Sequence, residues 1–345
     1  MGNEIRDLNR SISLSSAGGD LIKAAKVLAS CRGQLSLARQ MVAQPGYSPR
    51  VRDAIEHATV GKAGVSIGGI GAFGDALAPY RELAEGFVAS MSAFSAFSKI
   101  LTANDFYGLP LRTILAILTS APIGDSSAEG FAKAMSSGAF TTGKVEPQKS
   151  TSMICVSNEL AKSISDAATA QLSAEIRRAA SIELDRVFLN ILASTSGVTS
   201  AANTGVTASA VLSDLTGRLT ALTIGSDSRL YFICSPKLWK TISLLQGTGG
   251  FLLVNNRIGS ITVVPSDAAT SSAFLIDSRQ VAAALDTVAI NVSSNATVQL
   301  SDNPTSSSFQ LFSAFQANAT IMQCEIWYGA LLMRSSGCTL LTGYS

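Results

Sequence analysis

Between Ser157 and about Ala193, the residues Leu160, Ile164, Ala168, Leu172, Ile176, Ala180, Leu184 and Phe188 follow one another every four positions. That spacing predicts a long helix. An α-helix turns once in about 3.6 residues, so a stripe repeating every four winds around the axis and calls for contacts from changing directions. Glu175, Arg177, Arg178, Glu183, Asp185 and Arg186 supply its charged side. Ser165-Asp166 is a good cap and predicts a split into a short and a long piece.

The elements around this helix read as α+β. Asp20 can cap a helix running to about Val42, with Ile22, Ala25, Leu28, Cys31, Leu35 and Ala38 on one side, before Pro45-Gly46 stops it. Ser48-Pro49 starts a second short helix. Gly61–Gly74 reads as a glycine-rich linker and a boundary. Pro79 opens a helix to about Leu101 with an apolar stripe of Leu83, Phe87, Met91, Phe94 and Leu101. From Leu111 to Val156 the pattern is β-type, and Phe140–Val145 is expected to pair with Thr151–Val156 across Glu146-Pro147-Gln148-Lys149. Strands are then expected at Leu230–Cys234, Ile261–Val264, Phe274–Ile276, Val288–Val292, Thr297–Leu300, Thr320–Trp327, Ala330–Arg334 and Thr339–Leu341. Helices are expected at Pro236–Leu245 and Arg279–Leu285.

Several function classes lose their equipment. His57 is the chain's one histidine, and it sits in a polar helical run beside Glu56 with no nucleophile signature nearby, so it reads as a solvent-exposed helix residue. Cys31, Cys155, Cys234, Cys324 and Cys338 form no C-x-x-C pair and read as buried reduced thiols. Gly69, Gly71 and Gly74 spell G-x-G-x-x-G, but only Val65–Ile67 could be the preceding strand and no acid follows about twenty residues on, so a hinge fits better than a dinucleotide site. No catalytic residue, cofactor site or metal site is expected, and the chain reads as a non-enzyme. No run approaches the ~18 apolar residues of a membrane span. Residues 1–19 lack the apolar core of a secretory signal, which makes synthesis in the cytoplasm the default expectation. Only 14% of residues are charged against 47% hydrophobic, with net charge +2. An average soluble domain is roughly 25% charged, so much of the surface is expected to be covered by other protein.

Particular residues then carry a family resemblance. The run Thr151-Ser-Met-Ile-Cys-Val-Ser-Asn-Glu-Leu160, followed by the helix through Glu175-Ile-Arg-Arg178 to Leu184-Asp-Arg-Val-Phe-Leu-Asn190, resembles the major capsid proteins of tailed bacteriophages. There a strand ending in Ser-x-Glu-Leu enters a long spine helix that finishes in an Asp-x-x-Phe-Leu-like stretch. Leu109-Pro-Leu-Arg112, Ala128-Glu-Gly-Phe-Ala-Lys133, Phe315-Gln-Ala-Asn318 and Leu341-Thr-Gly343 are similar to further family segments in the same order. The likeness covers roughly residues 80–345.

The resemblance implies the Hong Kong 97-type capsid fold. Its expected parts are a helical N-terminal segment (1–74, scaffold-like or a linker), an N-terminal arm (75–117) and an extended β-hairpin loop (118–154). A peripheral domain with the spine helix (155–204 and 311–345) and an axial α+β domain (205–310) complete it. It implies self-assembly as pentamers and hexamers into an icosahedral virion shell around double-stranded DNA, with portal, scaffold or decoration proteins as partners and no membrane. Glu129, Lys133, Lys144, Lys149, Arg177, Arg178 and Arg186 are the expected subunit-contact residues. DNA contact would be sequence-independent, through arginines such as Arg177, Arg178 or Arg186, unless these pair with Glu175, Glu183 and Asp185. One family member forms Lys–Asn isopeptide links helped by a Glu, for which Lys133, Lys144 or Lys149 with Asn318 and Glu325 are formal candidates. Two alternatives stay open at this point: an encapsulin-type compartment holding a cargo enzyme, and a Ser/Thr-rich surface-layer or adhesin protein.

Overall fold

The computed structural model describes residues 20, 23–31, 34–61, 64–67, 87–118, 140–159, 166–247, 250–299 and 310–344. The chain forms two compact units. One combines Met1–Thr102, Lys149–Val187 and Asp286–Trp327, and the other Ala103–Gln148, Phe188–Leu285 and Tyr328–Ser345. The motif Gly69, Gly71 and Gly74, and the contact candidates Glu129 and Lys133, lie outside the described residues.

The long helix runs Asp166–Ser194, with its residues up to Val187 in the first unit and those from Phe188 in the second, and it begins at the acid expected to cap it. Ile176, Ala180, Leu184 and Phe188 are all buried, as the four-residue stripe requires, and so are Ser181, Asp185, Leu189 and Leu192. Leu192 continues the stripe, which winds around the axis as its spacing requires, and Ser181, Asp185 and Leu189 widen it by a parallel row. The expected helix from Asp20 to Val42 is broken: residues 23–30 are helical, and a separate helix Leu35–Val42 follows. Ser48 accepts the Val51 N–H at 3.3 Å and Pro49 opens the next helix, Pro49–Glu56, as its sequence requires.

The expected linker after Gly61 begins instead as a hairpin, Thr59–Gly61 with Gly64–Ile67. It joins a sheet ordered 59–61, 64–67, 281–293, 319–332, 148–157. Ile67 pairs with Ile290 and Val65 with Val292. The expected continuous helix from Pro79 to Leu101 is also broken, with a turn over residues 91–94 and a new helix, Ala96–Thr102. Phe87 and Met91 are buried, while Phe94 stands out in solvent.

The break has a definite cause. Asp185, fully buried, accepts the Ser95 hydroxyl at 2.6 Å, the Ala96 N–H at 2.7 Å and the Phe97 N–H at 3.0 Å. It thereby caps the new helix start, where backbone donors have no intrahelical partner. Ser95 Oγ in turn accepts the Ser98 N–H at 3.0 Å. The expectation that Asp185 belongs to the charged, exposed side of the long helix is therefore corrected.

The second unit is built on a sheet ordered 257–258, 261–265, 230–234, 272–277, 338–342, 199–202, mixing parallel and antiparallel pairs. The helices Ala208–Leu219 and Pro236–Leu244 pack into its core through Val211, Leu215, Leu238 and Ile242, against Phe232, Val263 and Leu275. Leu230–Cys234, Pro236–Leu244, Ile261–Pro265 and Cys338–Thr342 stand where the sequence places them. The helix Ala208–Leu219 was not anticipated, although Thr207 caps it by accepting the Ala210 N–H at 3.2 Å.

The expected helix Arg279–Leu285 is instead a single 3-10 turn, Ser278–Gln280, leading into the strand Val281–Ser293. Val281-Ala-Ala-Ala284 has high helix propensity, but all four side chains are buried. Fully buried strands read as continuous apolar runs, so tertiary packing overrides propensity here.

Candidate assembly surfaces

The expected hairpin of Phe140–Val145 with Thr151–Val156 does not form. Phe140–Lys144 pairs antiparallel with Ile114–Leu118, in the register Ile114↔Lys144 through Leu118↔Phe140, while Gln148–Ser157 lies in the other sheet. The intervening Val145 explains the difference. It is wholly buried in a cluster with Ala282 and Ala284, and its backbone continues the first pairing (Arg112 N–H to Val145 C=O 2.9 Å, Val145 N–H to Thr113 C=O 3.3 Å). The chain thus runs straight through the segment read as a turn.

Side chains alternate across this two-stranded element. On one face Gly143 lies opposite Leu115, and a Cβ at Gly143 would stand 2.7 Å from Ile117 Cδ1 and 2.8 Å from Leu331 Cδ2. A second close approach occurs at Gly329, where a Cβ would meet Leu111 Cδ2 at 2.5 Å and Val145 Cγ1 at 2.6 Å. These two glycines let the hairpin base seat on the strand Ala319–Leu332. The opposite face carries Ile114 and Phe140, each 69% exposed, with Ala116, Thr142 and Lys144 also in solvent. Lys144 pairs with Glu146 at 2.9 Å.

In the first unit, Lys149 Nζ lies 2.6 Å from Glu325 Oε1 and 5.5 Å from the centre of the Trp327 ring. Gln323 donates to the same carboxylate oxygen at 2.9 Å. Lys149 and Glu325, two of the residues singled out from sequence, are therefore brought together within one chain. Asn318 is not. Its Oδ1 accepts from Asn158 Nδ2 at 2.9 Å, and Thr320 donates to Asn158 Oδ1 at 2.6 Å. Asn318 precedes the strand that carries Glu325, which separates the two by about 20 Å at a strand's rise per residue.

Of the arginines, Arg186 makes a two-pronged pair with Glu183 (Nε to Oε2 2.8 Å, Nη2 to Oε1 2.7 Å), so for it the ion-pairing alternative holds. Arg178 is exposed, and Arg177 is half-buried, which lowers its affinity for a proton. His57 is exposed at the C-terminal end of its helix, as expected. Cys155 is exposed, which corrects the reading of all five thiols as buried. Burial pushes the Cys234 and Cys338 thiols up to about 12, and Cys324 likewise through burial and then the nearby Glu325 charge, which leaves them protonated and unreactive. Among the described residues no group of three or more His, Cys, Asp or Glu could hold a metal ion, and no helix is long and apolar enough to cross a membrane.

Sequence reasoning missed two features. Leu244, Phe251 and Val254, 77%, 56% and 59% exposed, project around the small hairpin Gln246–Gly247 with Gly250–Phe251. A signal was present in Leu244-Leu-Gln-Gly-Thr-Gly-Gly-Phe-Leu-Leu-Val254, apolar residues bracketing a glycine-rich turn. The other is Asp214, which accepts the Thr204 N–H at 3.0 Å, the Thr204 hydroxyl at 2.8 Å and the Tyr344 hydroxyl at 2.7 Å. Through it the chain's penultimate residue is tied to the helix Ala208–Leu219.

No family model and no curated protein matches the chain. Among solved structures it is similar to one from Gordonia phage Cozz, at 12% identity over 70% of this chain and 85% of that one, with a TM-score of 0.46. One from Mycobacterium phage Cain gives 10% identity, 73% and 88% coverage and a TM-score of 0.46. The virus-like particle from Pyrococcus furiosus gives 8% identity, 68% and 89% coverage and a TM-score of 0.44. The chain is an α+β protein similar in structure to proteins of phages and of a virus-like particle.

Proposed function

We propose that this chain is the major capsid protein of a tailed bacteriophage or prophage, assembling as pentamers and hexamers into an icosahedral shell around double-stranded DNA. It would be made in the host bacterial cytoplasm and reside in the virion, with portal, scaffold or decoration proteins as partners. The observation that carries this reading is the hairpin Ile114–Leu118 with Phe140–Lys144. One face is locked down by Gly143 and Leu331, and the other offers Ile114 and Phe140 to solvent.

A two-stranded element gains little stability alone. Burying an Ile and a Phe contributes about 1.5–3 kcal/mol each, which suits a contact made repeatedly by copies of one chain. In a ring such contacts are head-to-tail and close by rotation, and each copy is held by several neighbours at once. In this reading residues 75–117 are assigned to the arm and about 118–154 to the extended loop, and Lys144, Lys149, Arg177, Arg178 and Arg186, with Glu129 and Lys133, meet neighbouring copies.

The test compares the full chain with I114S/F140S by negative-stain electron microscopy and sedimentation. Closed shells from the parent chain, and folded subunits without shells from the variant, are expected. Shells of normal yield from the variant would remove the hairpin from the assembly contact, and absence of shells from the parent chain would remove the function.

A further inference from the structure

The chain's charge is unevenly distributed. Residues 20–58 hold six basic and three acidic side chains, a surplus of three, while the whole chain carries only +2. All of the chain's net positive charge thus lies in residues 20–58, and the remainder is slightly acidic. Leu35–Val42 and Pro49–Glu56 form an antiparallel helical hairpin, and each contributes an arginine that reaches the far end of the other. Arg39 Nη2 donates to the Glu56 carbonyl at 2.7 Å, and Arg52 Nη2 donates to the Gln44 carbonyl at 3.4 Å.

Both acceptors are main-chain carbonyls at helix C-terminal ends, so neither guanidinium is neutralised by these bonds. A guanidinium has five N–H donors, and each carbonyl takes one. Arg52 Nε is buried and has no acceptor among the described residues. Among the described residues, helix capping accounts for one donor of each arginine and leaves its charge uncompensated by a carboxylate. Asp53 and Glu56 are the exposed acids of the same hairpin, and Lys23 is occupied with Asp20 at 3.9 Å.

We infer that this helical hairpin, through Arg39 and Arg52, is where the subunit touches the phosphate backbone of the enclosed nucleic acid. Two guanidinium charges held at opposite ends of a short hairpin suit phosphate oxygens, which attract them without regard to base sequence. The inference rests on the reading of the chain as a container for DNA. It moves the contact from Arg177, Arg178 and Arg186 to the helices Leu35–Val42 and Pro49–Glu56.

The experiment measures binding of the full chain to a fluorescent random-sequence DNA duplex across a salt series, with particles from the same preparation viewed by electron microscopy. Each lost phosphate contact flattens the plot of log K against log salt by about 0.9. R39Q/R52Q is expected to flatten it by about 2, while R39K/R52K and R177Q/R178Q/R186Q keep the parent slope. R39Q alone, at an exposed position, is expected to flatten it by about 1 and serves if the double variant does not fold. An unchanged slope in R39Q, flattening confined to the R177Q/R178Q/R186Q variant, or no DNA binding by a parent chain that still forms shells would overturn the inference and leave the capsid reading standing. No shells from the parent chain would overturn the capsid reading itself.

Discussion

Replacing Asp185 by alanine tests the most consequential buried contact in the first unit. The carboxylate is fully buried and receives three donors, the Ser95 hydroxyl and the Ala96 and Phe97 N–H groups. Alanine removes all three acceptances and leaves two backbone donors stranded at a helix start. A buried polar group left without a partner costs about 1–3 kcal/mol, and loss of a helix cap about 0.5–2 kcal/mol. The hydroxyl can turn to another acceptor, so the loss should come to about 3–5 kcal/mol, a large share of the 5–15 kcal/mol typical of a domain. Trp327 lies in this unit and Trp239 in the other, so a W239F background isolates the first unit by fluorescence. With a urea slope of about 2 kcal/mol per molar, the midpoint should fall by roughly 1.5–2.5 M. S95A, which loses one hydrogen bond, should cost only about 1 kcal/mol. A D185A midpoint within about 0.5 M of the parent would refute the claim that this carboxylate fixes the Ala96–Thr102 helix to the long helix.

Three other outcomes are expected. Burial raises the Asp214 pKa, but the Thr204 backbone and Tyr344 hydrogen bonds, then the Thr204 hydroxyl and the Arg218 charge, outweigh it and hold the carboxyl below its ordinary value. The stability it contributes is therefore present above a pH of about 4 and is lost as pH falls through the lower folded value. Tyr344→Phe should cost about 1–2 kcal/mol at neutral pH and shrink that acid-linked loss, read as the Trp239 urea midpoint at pH 6 and pH 3; an equal acid loss in both proteins would count against the clamp. Replacing residues 120–138 by a short Gly/Ser link should leave a folded subunit that builds no shells, whereas a deletion reaching Val145 should also unfold the second unit; shells from the shorter deletion would remove the loop from assembly. Denaturing gels of assembled particles should show single monomers, because Lys149 is engaged with Glu325 and Asn318 with Asn158; a ladder of linked subunits would contradict this.

Legibility in the sequence followed the strength of local signals. The long helix was readable because its stripe and its Asp166 start agree, and the Ser48-Pro49 helix because cap and first-turn residue coincide. Reading failed where distant groups decide. The local sign of a break at Ser92-Ala-Phe-Ser95 is a single capping serine, since the carboxylate that completes the cap comes from Asp185, about ninety residues on. Val281–Ala284 is helix-favouring taken alone and a strand only because both of its faces are covered. Phe140–Lys144 chose Ile114–Leu118 over its nearer neighbour because burying Val145 prevents the chain from turning back. At the candidate surfaces, sequence identified Lys149 and Glu325 but not their mutual contact, and it placed Asp185 on the wrong side of its helix.

Sedimentation velocity of the purified full chain, across concentration and salt, bears most directly on whether this polypeptide is completed by copies of itself. The account predicts a fast-moving population of closed particles that grows with concentration at the expense of rings and free subunits. A single slow boundary at the mass of one 35.7 kDa chain under every condition would contradict it.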